Sequence, residues 1–124
     1  MLQLRSILNV ADNTGAKKVM LIGIPSRGNR RFGYISDIVT VVVKEAIPHA
    51  LVKKSEILPA LIVRTKKEKR RKDGSYIRFD DNACIILTAK DSKDPKGTRI
   101  FGPIAKEIKD AGFSKIVSLA EEIY

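Results

Sequence analysis

Over the first two-thirds of the chain, hydrophobic residues come in short runs rich in β-branched side chains, broken by turn-forming residues. Such runs read as strands. The first candidate covers residues 4–10. The turn Asp12-Asn13-Thr14-Gly15 leads into a second at 17–24, and a loop follows at 25–33. Residues 35–44 contain Ile38-Val39-Thr40-Val41-Val42-Val43, apolar on both faces, which predicts a strand with neighbours on either side. Another runs over 58–66, where Pro59 suits a strand start because it has no ladder donor to give. Residues 83–88 form a further candidate. Asp73-Gly74 predicts a hairpin turn between arms at 64–72 and 75–79. The near arm is almost entirely basic, so the hairpin tip is expected to project from the core. Many short strands with tight turns favour a small β-barrel, a closure that leaves no exposed sheet edge.

The period then changes. Gly102-Pro103 reads as a helix start, with proline in the first turn. Ile104, Ala105 and Ile108 line one face, and Gly112 is placed to end the helix. Phe113, Ile116, Val117 and Ala120 repeat at helical spacing and predict a second short helix, with a strand as the open alternative. The whole is expected to be one domain, mainly β, with the barrel over about 1–90 and the helical region over about 103–120.

Composition adds the partner. The 124 residues are 44% hydrophobic, enough for a packed core, and 24 Lys and Arg oppose 14 Asp and Glu. The formal net charge is +10, which predicts an anionic partner. Residues 61–78 hold eight basic and two acidic side chains, a net +6, so over half the excess lies in that window. No apolar stretch approaches a membrane span, and no secretory pattern opens the chain. The protein is expected to act where it is made or after loss of a targeting segment. The lone Cys84, in an apolar run, reads as a buried reduced thiol.

The segment RTKKEKRRKDGSYIRF, residues 64–79, carries the main functional signal. Arg64, Lys66, Lys67, Lys69, Arg70, Arg71, Lys72 and Arg78 face only Glu68 and Asp73 within it, so local salt bridges cannot balance the cluster. Phosphate binding answers that repulsion, since neutralised backbone charges release counterions. In the loop SRGNRRFGY, residues 26–34, Arg27, Arg30 and Arg31 suit phosphates and Asn29 a base edge or sugar. Phe32 and Tyr34 are better read as core anchors than as stacking platforms. Lys53, Lys54 and Lys96 extend the candidate RNA-binding set. The turn Lys96-Gly97-Thr98-Arg99 leads towards the predicted helix start, where free N–H groups favour an anion; Pro103 removes one of them.

A catalytic or metal role finds no support. His49 is the only histidine and has no partner ligands at suitable spacing. Asp80 and Asp81 are adjacent, so on a strand they point apart, and on a turn they would cap backbone N–H groups. Neither an enzyme activity nor a cofactor is expected.

One pattern spans the chain. Ala60-Leu61-Ile62-Val63, then Asp73-Gly74, Phe79, Asn82 and Ile85-Ile86 at fixed spacing, resembles the signature of the universal large-subunit ribosomal protein fourteen family. The run from Val10 to Ala16, VADNTGA, resembles the family's opening. KGTRIFGP, residues 96–103, resembles its later signature, and KIVSLA, residues 115–120, its close. Ile85 stands where the usual pattern has Val, and Glu121 where many members have Pro. The resemblance implies a five-stranded β-barrel with a projecting basic ribbon and a small C-terminal helical region. It implies a structural role in the large subunit of a bacterial or organellar (plastid or mitochondrial) ribosome. It further implies contacts with large-subunit rRNA, neighbouring ribosomal proteins and small-subunit rRNA at an intersubunit bridge, and meeting a silencing factor. Thr98, Arg99 and Lys115 would belong to that interface side. The rival reading is a free nucleic-acid-binding barrel. Such modules cluster aromatics on a strand face, whereas the four Phe and three Tyr here are scattered along the chain.

Overall fold

The computed structural model describes residues 1–24, 31–90 and 92–124. Five strands close into a barrel: β1 (Ile7–Val10), β2 (Ala16–Gly23), β3 (Ile38–Ala46), β4 (Ile57–Arg64) and β7 (Ala83–Ile86), in the order β1-β2-β3-β4-β7. All pairings are antiparallel except β1 with β7, which run parallel and close the ring. Register shifts between β2 and β3, and between β4 and β7, bend the sheet where a flat one would not close.

Alternating burial along β1, β2 and β3 sets the barrel interior. Leu8, Val19, Leu21, Val39, Val41 and Val43 are all buried, with polar or half-exposed residues between them. β4 and β7 behave differently. Residues 60–63 and 83–86 are buried without interruption. The C-terminal segment adds Ile100, Ile104, Ala105, Ile108, Phe113 and Ile116 to the same apolar cluster and covers what would have been an outer face. Cys84 is fully buried, and that burial, with Asp12 beside it, pushes its thiol pKa far up and holds it protonated.

The second layer is small. β5 (Lys69–Arg70) and β6 (Tyr76–Ile77) form the hairpin. β8 (Pro103–Ile104) pairs in parallel with β9 (Glu122–Ile123), and between them lie α1 (Glu107–Asp110) and α2 (Ser114–Leu119). None of the helices among the described residues is long and apolar enough to cross a membrane.

Several expectations change. The first strand begins at Ile7, because Arg5 takes φ 71 and breaks the extended chain. The third starts at Ile38 and the last barrel strand ends at Ile86. Pro103 opens a strand and no helix: Gly102 turns at φ 79, and the Arg64 guanidinium lies 2.2 Å from where its Cβ would be. Ile104 and Ala105 are buried as predicted, with Ile104 on a strand, and α1 begins only at Glu107. The second helix, Ser114–Leu119, is present. Tyr34 is 40% exposed and Phe32 half-buried, so neither anchors the core.

Candidate nucleic-acid interface

The hairpin tip, residues 72–75, is solvent-exposed, and Asp73 shapes it by accepting from Ser75 N–H (3.0 Å) and Ser75 Oγ (2.6 Å). Those two bonds lower the Asp73 pKa and keep the turn's carboxylate charged. Lys66, Lys67, Arg70, Lys72 and Arg78 are exposed and Lys69 is half-buried. Of these six, only Lys67 makes an ion pair among the described residues, with Glu68 at 3.0 Å, and Arg78 adds a longer-range attraction to the same carboxylate.

Two cations of the window are balanced by acids from outside it, which a count of charges within the window does not reach. Arg64 is 3.3 Å from Asp81 and also donates to the Phe101 carbonyl at 3.4 Å. Arg71 donates to Glu107 Oε1 at 2.7 Å and to the main-chain carbonyl of Tyr124. Both side chains are largely buried. They fasten the hairpin to the C-terminal region while their neighbours stay free. Asp81 therefore does not cap a backbone N–H as predicted. It holds Arg64 and accepts from Asn9, and the neighbouring Asn82 caps Lys66 N–H at 2.8 Å.

A second cluster forms around the 92–99 loop. Asn13 Nδ2 donates to Thr98 Oγ1 at 2.8 Å, while its Oδ1 accepts from Thr98 N–H at 2.8 Å and Arg99 N–H at 3.1 Å. Gly97 packs so closely that a Cβ there would lie 2.7 Å from Asn13 Oδ1. Lys115 on α2 pairs with Asp94 at 3.1 Å, and Lys93 donates to the Ala111 carbonyl and lies 5.4 Å over the Phe113 ring. Thr98, Arg99 and Lys115 thus attach to one loop, with Thr98, Arg99 and Lys115 all exposed. The free N–H groups of a helix start are not what this loop presents, because a strand follows it.

Arg31, Lys53 and Lys54 are exposed and Lys96 is half-buried. Arg27, Asn29 and Arg30 lie outside the described residues. Among the described residues, no group of His, Cys, Asp or Glu is placed to hold a metal ion.

The organising residues were less visible than the cations. Asn13 and Glu107 look like ordinary turn and helix-surface residues until the fold brings them to Thr98 and Arg71. The fold also gathers aromatics that are scattered in sequence: Tyr76, Phe79 and Tyr124 line one cleft with Arg64 and Arg78. The available signal was period two in the hairpin's second arm, which puts Tyr76 and Arg78 on its exposed face.

A closed five-stranded barrel whose loops and hairpin carry unbalanced positive charge defines a small, basic scaffold protein. The family model for ribosomal protein L14p/L23e matches residues 1–124, the entire chain, and the chain belongs to that family. Its role is accordingly structural, within the large ribosomal subunit.

Proposed function

We propose that the protein binds large-subunit rRNA through its basic hairpin and loops, and that its 96–99 loop contributes to the intersubunit side. The observation that carries this reading is the excess charge at the hairpin: Lys66, Lys69, Arg70, Lys72 and Arg78 make no ion pair among the described residues, and the one nearby acid whose charge Arg78 reaches, Glu68, is already paired with Lys67. Like charges held this close repel, and RNA phosphates offset that repulsion. Arg64 and Arg71 serve the same surface from beneath, by fixing the ribbon's position. Lys53, Lys54, Arg31 and Lys96, with Arg27, Asn29 and Arg30, supply further backbone contacts. A rigid barrel with such loops reads RNA shape and backbone more than sequence.

Thr98, Arg99 and Lys115 form the surface facing the small subunit, where small-subunit rRNA and a silencing factor would be met; neighbouring large-subunit proteins cover other faces. What supports this grouping is their common attachment to the 92–99 loop. The chain acts as one domain, in a bacterial, plastid or mitochondrial ribosome.

The test is neutralisation of Lys69, Arg70 and Lys72 to Gln, leaving Arg71 to hold the ribbon. Binding of the purified variant to large-subunit rRNA should weaken. The slope of log K against log salt should flatten by about two units, as three phosphate contacts predict. Incorporation into large subunits as complete as wild type at elevated salt, with an unchanged slope, would sink the proposal.

A further inference from the structure

The reading above uses Arg64 and Arg78 as cations but leaves unused the cleft that they line between the hairpin's second arm and the C-terminal strand. Its volume is about 560 Å³, within the range of small-ligand sites. Tyr76 and Tyr124 both border it and are 64% and 56% exposed, a high exposure for two tyrosines at one site. Phe79 and Pro103 add apolar wall. Arg78 is exposed at the rim and makes no ion pair among the described residues, though its charge reaches Glu68, and Arg64 lies deeper, balanced by Asp81.

We propose that this cleft is a subsite for one unpaired nucleotide of RNA, its base stacked on Tyr76 and its phosphate met by Arg78. Aromatic faces accept any base by stacking, and an adjacent free cation holds the backbone. Asp80, also on the wall, offers an acceptor to an exocyclic amino group, which a duplex would leave occupied in pairing, while the neighbouring Asp81 is engaged by Arg64 and Asn9. The site is built by tertiary structure. Arg71 holds the Tyr124 main chain against the hairpin, and Tyr124 N–H donates to the Ile104 carbonyl at 3.0 Å, so the two tyrosines border one opening. RNA is favoured over an apolar protein segment because the cleft sits beside the free cations of the hairpin. The inference rests on the rRNA-binding reading and adds to it a preference for single-stranded or bulged RNA.

The chain has three tyrosines and no tryptophan, so tyrosine emission reports on the site directly. Wild-type protein and the Tyr34→Phe, Tyr76→Phe and Tyr76→Leu variants are titrated with a five-nucleotide oligoadenylate, whose bases carry exocyclic amino groups, and with a short RNA duplex. Stacking predicts quenching by the single strand in Tyr34→Phe. It predicts about tenfold weaker single-strand binding in Tyr76→Leu, near-wild-type binding in Tyr76→Phe, and unchanged duplex binding in both. Equal binding of the single strand by Tyr76→Leu and wild type overturns the subsite while leaving the rRNA reading intact. Failure of wild type to bind either RNA overturns both. As a second measurement, a photo-crosslinking phenylalanine analogue replaces Tyr76 in assembled large subunits. Crosslinks to an rRNA nucleotide support the proposal, and crosslinks only to a ribosomal protein overturn it.

Discussion

Asn13 and Thr98, eighty-five residues apart in the chain, bind each other twice: amide to hydroxyl and main-chain N–H to amide oxygen, both at 2.8 Å. A single side chain from the turn before β2 therefore sets the conformation of the loop proposed to face the small subunit. Asn13→Ala should cost about 1 kcal/mol, as net loss of exposed hydrogen bonds predicts. Its sharper effect is local. Amide hydrogen exchange at Thr98 and Arg99 should accelerate while the barrel strands keep their protection; unchanged exchange at both amides would contradict the assignment.

Gly97→Ala probes the same contact from the other side. The added Cβ would lie 2.7 Å from Asn13 Oδ1 and 3.3 Å from Asp12 Cβ, so the loop must shift. The variant should lose about 1–2 kcal/mol in chemical denaturation, with the loss reduced when Asn13→Ala is already present. Full additivity of the two would show that the residues act separately.

Arg71 and Glu107 predict a separation of structure from binding. Their pair is largely buried, with side-chain exposures of 23% and 16%. Arg71→Ala strands the Glu107 carboxylate, whose Oε2 already has no donor among the described residues. A loss of about 2 kcal/mol is expected, below the full cost of a wholly buried pair because water still reaches both groups. Arg70→Ala, at an exposed neighbour, should change stability by less than about 0.5 kcal/mol while weakening RNA binding. Thermal melts and filter binding on the two variants separate these effects.

Asp12 ties β1 to β7 from a buried position, accepting from Ile86 N–H at 2.9 Å and from Thr14 N–H and hydroxyl. Burial raises its pKa above the ordinary value of an aspartate, with the Thr14 and Ile86 bonds opposing the rise. A raised folded pKa means that the native state holds this proton longer than the unfolded one. Its contribution therefore diminishes as pH climbs from 3.8 through the folded pKa. Asp12→Asn turns an amide towards Ile86 N–H and should cost about 1–3 kcal/mol at neutral pH. Urea midpoints of the two proteins, followed upward from pH 3.8, should converge as wild type loses that contribution; a gap that widens would reverse the sign.

How far the site was legible follows from the range of the forces involved. The cations at Lys66, Lys69, Arg70, Lys72 and Arg78 were visible because charge density is local. The balance of Arg64 and Arg71 was not, since Asp81 and Glu107 reach them from 17 and 36 residues away. The shared cleft of Tyr76 and Tyr124 was out of reach for the same reason: the two come to one opening only through the β8–β9 pairing and the Arg71 contact.

Short runs of Val, Ile and Leu, with turn residues between them, were enough to indicate a small β-barrel. Side-chain alternation in a strand is a property of the backbone itself. The Asp73-Gly74 turn likewise marked the hairpin. Tertiary structure decided the rest. Pro103 became a strand because β9 offered Ile104 a parallel partner and Gly102 turned the chain past Arg64, contacts that outweigh a local helix signal. The 60–63 and 83–86 stretches lost any outward polar face because the C-terminal segment buries them, and burial by a distant segment leaves no local period to read.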